Sequence, residues 1–244
     1  MISLDSLPSN QVETIELTAI IDTALCVGAG GSSGSLSDKP IVRNAEEKLL
    51  VPASQLKGRL RHECEKLARG LGWYICQSPN PKTMCPQRAG FPKEEEKHFR
   101  RNDYQVLADE RYHCLICKIF GNPTLPSRII VDDLVCTEAA ENLQPEILRP
   151  GVTINRSRHT AEEKKLYFLE TSPGNAQLKF KGAIYFLQSD CPADAKTLII
   201  AALHHIHALG GSKSAGLGWL HWQELPKIEQ NDAIWSSLLP NKTP

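Results

Sequence analysis

Residues 36–63, LSDKPIVRNAEEKLLVPASQLKGRLRHE, constrain this chain more than any other stretch, and the rest is organised around them. Pro52 stops a short extended run, because it has no N–H to give a ladder. Ser54 is then placed to cap a helix. Leu56, Leu60, Cys64, Leu67 and Leu71 fall at helical spacing on one face, and Gly70 and Gly72 can end it, so the pattern predicts a helix over 54–71. Its opening turns carry Lys57, Arg59 and Arg61. A capping serine, a lysine and the unpaired N–H groups of a first turn form an anion site, since the helix dipole has the same sign as the lysine. Gly58 costs roughly 1 kcal/mol against alanine inside a helix, and close approach of a sugar-phosphate backbone would give it a reason. A solvated basic helix face is the competing account. Just upstream, Asp38 stands alone behind a Gly/Ser-rich loop, with Lys39 and Pro40 after it.

Residues 1–13 are polar and broken by proline, a poorly ordered start. Residues 14–27 alternate Ile15, Leu17, Ala19 and Ile21 against Glu16, Thr18 and Asp22, which predicts a first strand. Gly28, Gly30, Gly31 and Gly34 follow, but Ser33 breaks the dinucleotide spacing and no Gly-Lys-Ser/Thr comes after, so a flexible loop is the better account. Residues 72–126 break the pattern with prolines at 79, 81, 86 and 92, a charged run at 93–97, and Cys76, Cys85, Cys114 and Cys117. Residues 128–135 read as a second strand. Residues 138–175 are irregular and basic, with Arg149, Arg156, Arg158, His159, Lys164 and Lys165; Leu166 to Leu169 could pair with the following segment as an arm. Residues 176–187 read as a third strand, 194–209 as a second helix, 210–218 as a glycine-rich turn, and 219–225 as a last strand. Without its insertions the order is strand, helix, strand, strand, helix, strand, which predicts an α+β, ferredoxin-like (RRM-like) βαββαβ core with two large insertions, one cysteine-rich and one arm-like. An aromatic content of 6% and the lack of an R-G-F-G-F-type strand argue against an ordinary base-stacking sheet.

At 244 residues, 41% hydrophobic and 23% charged, the chain has the make-up of a soluble globular protein. Its net charge is zero, so a nucleic-acid site has to be a local basic patch. The longest apolar run, Leu198 to Leu203, is too short to span a membrane. No charged-then-apolar leader opens the chain, so a cytoplasmic location is expected.

Eight cysteines without an export signal favour metal or core roles over disulfides. Cys114-Leu-Ile-Cys117 is a C-x-x-C knuckle, and Cys76 and Cys85 lie upstream in the same core-poor insertion. Four thiolates around a structural Zn²⁺ would tie down a region that cannot bury enough apolar surface. His62, Cys64, His98 and His113 are possible substitutes for one ligand. Cys26, Cys136 and Cys191 read as small core hydrophobes. His204, His205 and His207 point different ways on a helix and read as surface and core residues.

L-x-D-x-P, an extended run, then P-x-S-x-L-K-G-x-L-R resemble the signature of the RAMP superfamily, backbone subunits of type III CRISPR RNA-guided effector complexes of the Csm or Cmr kind, with subtype III-D as one option. The loop GGSKSAGLGWL resembles the family's glycine-rich loop, although Ala215 stands where relatives often carry a basic residue. I-F-G-N-P at 119–123, after C-x-x-C, also resembles the type III members. The resemblance implies a single RAMP domain over 1–244, with a zinc-binding insertion at 72–126 and a thumb-like arm at 138–175. It implies that Ser54, Lys57, Arg59, Arg61, Arg156, Arg158 and Lys213 meet RNA, and that Asp38 matches the family's single loop aspartate. The partners implied are CRISPR RNA, target RNA and other subunits of the complex. Three readings follow: a subunit that cleaves guide-paired target RNA at Asp38 with a divalent cation such as Mg, a catalytically idle structural RNA-binding subunit, and a CRISPR repeat endoribonuclease.

Overall fold

The computed structural model describes residues 13–28, 37–80, 83–85, 113–174, 176–187, 191–192 and 195–226. The polar start at 1–12, the loop positions 29–36, the charged run 93–97 and His98 lie outside them.

β1 (Glu13–Ile21) alternates as its sequence predicts, with Ile15, Leu17, Ala19 and Ile21 buried and Glu13, Thr14 and Glu16 exposed. It pairs along its whole length with β7 (Leu178–Phe186), and on its other side with β8 (Leu220–Gln223). The far side of β7 takes β3 (Ile129–Val131) and β4 (Leu134–Cys136), and β2 (Leu50–Val51) adds to β4. Every pair is antiparallel, in the order β2-β4-β7-β1-β8 with β3 also on β7. The apolar side of this sheet is covered by α1 (Ala53–Gly70) and α3 (Ala195–His204), which pack on each other where the Cys64 thiol meets the Leu198 carbonyl at 3.8 Å. Leu56, Leu60, Cys64 and Ala68 of α1 are buried in the same cluster as Leu17, Phe180 and Ile184. Burying each leucine contributes about 1.5–3 kcal/mol, which outweighs the cost of Gly58 in the same helix. A short α2 (Leu115–Phe120) packs beside α1. Among the described residues, no helix is long and apolar enough to cross a membrane.

Four sequence expectations change. The strand over 14–27 leaves the ladder at Ile21; residues 24–27 stay buried but bond to loops, through Gly218 N–H to Ala24 O (2.9 Å), Gly211 N–H to Cys26 O and Val42 N–H to Val27 O (3.0 Å). The single strand over 128–135 is split into β3 and β4 at Asp132–Asp133. A Cβ on Gly182 of β7 would sit 2.7 Å from the Asp133 carbonyl, so glycine there lets the split come close. The second helix ends at His204 rather than 209, because Ala208 bridges Trp219 and Leu209 N–H bonds Gly218 O at 2.9 Å. Gly218 has φ +71°, and a Cβ there would overlap the Leu209 carbonyl, so only glycine closes this turn.

The largest change lies in 138–175. In place of irregular chain stands a separate ribbon of β5 (Ile147–Asn155) and β6 (Thr160–Thr171). Leu166 to Leu169 pair with the preceding strand, not the following one: Val152 faces Leu166, Pro150 faces Phe168 and Arg149 faces Leu169. Most of the ribbon is exposed on both faces, so its sequence carries no burial alternation.

Candidate metal centre and aspartate loop

The four cysteines of the insertion meet. Cys114 precedes α2 and Cys117 lies in its first turn, a spacing of three that puts both thiols on one face. Cys76 leads into a turn closed by Gln77 N–H to Thr83 O (3.1 Å), and Cys85 follows that turn. All four are buried, and their Sγ atoms lie within 4.8 Å of one another. Cys76–Cys117 is 3.5 Å and Cys114–Cys76 is 3.7 Å between sulfurs, too long for disulfides. Four sulfurs about 2.3 Å from a tetrahedral ion stand roughly 3.8 Å apart, close to these two separations, so the cluster could hold a metal ion. The Cys114 N–H points at Cys85 Sγ at 3.2 Å. Hydrogen bonds from Cys117, Cys76 and Cys85 pull the Cys114 thiol below its ordinary value. Of the substitute ligands, His62 is exposed, Cys64 lies in the core, and His113 Nδ1 sits 2.9 Å from Asn122 Nδ2. Burial pushes the Cys26, Cys64, Cys136 and Cys191 thiols up, as expected of cysteines that serve as apolar residues.

The start of α1 differs from its sequence reading. Ser54 does not cap: Pro52 takes the N-cap position, and the Ala53 N–H is held by Asp133 Oδ1 at 2.6 Å. That carboxylate already fills the anion position of the first turn. Lys57 Nζ turns inward to Ser127 Oγ (2.8 Å) and Ile129 O (3.4 Å), and burial with the Arg61 charge lowers its pKa. Arg61 gives Nη1 to Gly121 O (3.0 Å) and Nε to Glu65 (3.2 Å), and its Nη2 lies 3.7 Å from Cys117 Sγ. Arg59 pairs with the buried Glu63 at 2.9 Å. Lys57 and Arg61 therefore hold α1 to its neighbours, and Arg59 pairs within the helix. Asp133→Ala is expected to destabilise the fold by about 1 kcal/mol, as loss of a helix cap does, and urea denaturation measures it. An unchanged midpoint would show that the cap contributes nothing.

Asp38 lies where the sheet meets the ribbon. Its Oδ2 accepts the Phe168 N–H at 2.7 Å, and its own N–H reaches Phe168 O at 3.1 Å. Lys39 bridges Leu169 in parallel, and Ile41 bridges Gly28 on the other flank. The Asp38 carboxylate is exposed, and its second oxygen has no partner among the described residues. At the far end of the ribbon, Asn155 Oδ1 takes the N–H groups of Ser157 and Arg158, both at 3.1 Å. This turn presents Arg156 and Arg158 to solvent. Lys213, on the exposed tip of the glycine-rich turn, gives its ammonium to Gly210 O at 2.9 Å. His204, His205 and His207 are all exposed, so no core role falls to any of them.

Residues 18–221 match the family model of the RAMP superfamily. The chain belongs to the RAMP superfamily. The match takes in every site residue named above, from Asp38 to Lys213. A curated relative, the CRISPR system Cms endoribonuclease Csm3 of Methanocaldococcus jannaschii, is 26% identical over 224 residues, covering 87% of this RAMP chain and 79% of that protein. A solved structure, the cryo-EM structure of the Type III-B Cmr-beta bound to cognate target RNA, superposes with a TM-score of 0.52 at 15% identity, over 91% of this chain. The RAMP chain spans 62% of the length of that neighbour, and the likeness is one of fold.

Sequence reasoning about this RAMP chain missed Asp133, Asn155 and Glu170. Asp133 acts on a residue 80 positions away, which no local pattern records. Asn155 had a local signal, an Asn two and three residues before its partners at a turn. The Glu170 carboxylate accepts from Ser37 and Ile41, again far off in sequence.

Proposed function

We propose that this chain is a CRISPR RNA-binding backbone subunit of a type III interference complex and that it cleaves guide-paired target RNA with Asp38. Family membership and the Csm3 relative support the first half. One observation carries the second: a solvent-facing carboxylate is fixed at the root of a long exposed ribbon whose tip bears Arg156 and Arg158. The strand order, with α1 and α3 on one face, supports a ferredoxin-like core from which the ribbon springs as a thumb-like arm.

RNA carries its own nucleophile in the 2′-hydroxyl. The arm would wedge adjacent nucleotides apart so that this oxygen lies in line with the scissile phosphorus. The O2′–P bond then forms, the P–O5′ bond breaks, the 2′ proton leaves toward Asp38 or water, and water gives a proton to the departing 5′ oxygen. A single exposed carboxylate with one open oxygen suits a cation such as Mg, which would supply charge stabilisation on the phosphate. The cysteine cluster suits a structural zinc, since its all-sulfur donor set and spacing are those of a closed tetrahedral site. Eight free thiols support a reducing, cytoplasmic setting.

RNA contact is assigned to the arm tip, with Lys213 and the exposed loop around it as a second point. Lys57 and Arg61 are poor test sites, because reversing either charge would disturb the α1 contacts as well. Arg156→Glu with Arg158→Glu is expected to lower the guide RNA that co-purifies, read by sequencing the bound material. Log affinity against log salt should flatten by about two units, one for each phosphate that the arginines no longer neutralise. Wild-type occupancy and slope would move the RNA path elsewhere. One observation favours the catalytically idle reading: Asp38 already has a structural task in holding the Phe168 N–H.

A further inference from the structure

The segment that carries Asp38 is short, and its flanks differ in how they are held. On one side Ile41 bridges Gly28, and Val42 N–H bonds Val27 O. On the other, main-chain contacts tie it to β6: Asp38 N–H to Phe168 O, and the Lys39–Leu169 bridge, which includes the Glu170 N–H to Lys39 O bond at 3.3 Å. Glu170 adds a different kind of contact. Its Oε2 accepts the Ser37 hydroxyl at 3.2 Å and the Ile41 N–H at 3.3 Å. One carboxylate oxygen thus grips both ends of a five-residue segment with Asp38 inside it. Glu170 is half-buried, whereas Asp38 is exposed. A charged acceptor makes stronger hydrogen bonds than a neutral one, and shielding from water strengthens them further.

We propose that Glu170 is the positioning residue of the Asp38 segment, locking residues 37–41 to β6 so that the place of the aspartate follows the place of the arm. The proposal rests on the catalytic reading of Asp38 for its effect on cleavage, but the lock itself is independent of that reading. When the arm seats against paired RNA, the aspartate is carried to the phosphate with it. When the arm is not seated, the aspartate and the phosphate are out of register.

The test uses the assembled complex with its guide. Glu170→Ala should slow cleavage beside this subunit about ten- to a hundredfold, as an ångström-scale misplacement does, with target affinity unchanged. Amide hydrogen exchange over 37–41 should quicken in the same variant. Glu170→Gln keeps an acceptor oxygen and should restore most of both readouts, whereas Glu170→Met, of similar size but with no strong acceptor, should restore neither; a general packing role predicts rescue by both. Wild-type exchange and cleavage in Glu170→Ala would overturn the proposal, and so would faster exchange with unchanged cleavage by an enzyme that depends on Asp38. If Asp38→Ala still cleaves, the catalytic reading fails, and exchange alone decides whether Glu170 holds the segment. Should Glu170→Ala not assemble, Ser37→Ala removes one of the two hydrogen bonds. It then carries the same expectation at smaller size, and wild-type behaviour there counts against the lock.

Discussion

Changing Cys114 and Cys117 together to serine is expected to remove one zinc per chain by elemental analysis and to make the polypeptide between 72 and 126 sensitive to protease. The effect should be large. Structural zinc binding contributes on the order of 10 kcal/mol, comparable with the whole stability of a domain. The damage would also spread from the cluster. Arg61 joins Cys117 and Gly121 to α1, and Lys57 joins α1 to Ser127 and to the carbonyl of Ile129 in β3. A chelator alone should reproduce the change in the unmodified protein. A metal-free protein whose insertion stays protected would end the zinc reading.

Asp38→Ala in the assembled complex should bind guide and target as before and lose target cleavage beside this subunit by a hundredfold or more, the usual scale for a group that handles the proton. Cleavage by the unmodified complex should need a divalent cation and leave a 2′,3′-cyclic phosphate. Asp38→Asn separates two roles that the structure gives this side chain. The amide oxygen can still take the Phe168 N–H seen at 2.7 Å, but it carries no charge. Loss in both variants assigns chemistry to the carboxylate. Loss in alanine alone assigns it the work of a clip, and cutting by both places the chain among the idle subunits.

The elements that were legible in the sequence are those where a local period meets a single buried face. β1 alternates because helices cover one side of the sheet, and α1 shows its leucines every three or four residues for the same reason. The cysteine cluster was legible through a contradiction, since a stretch poor in core residues held four thiols. The arm-like insertion was legible as such, but the pairing of its strands was not, because β5 and β6 expose both faces and Pro150 with Gly151 reads as a break. At α1, charge alone did not show where the cations reach. A lysine and an arginine in the opening turns look ready for phosphate, yet Asp133 between β3 and β4 bonds the first N–H of the helix, and Arg61 reaches Cys117 of another helix. Such contacts join residues 56 or more apart, and composition is blind to them.

Pro150 has one more consequence. Phe168 turns its N–H and C=O toward Asp38, so the Pro150–Phe168 pair is one in which neither residue bonds across the ribbon. Pro150 therefore withholds a donor from the outer side of β5 and none from the ladder. β6 is already flanked by the segment around Lys39. A bare hairpin edge invites a stray strand to zip on, and a proline midway along it is a standing veto. The arm can thus be long, apolar in places and open to solvent without becoming a seed for runaway self-association, and its contacts are left to be made by its side chains.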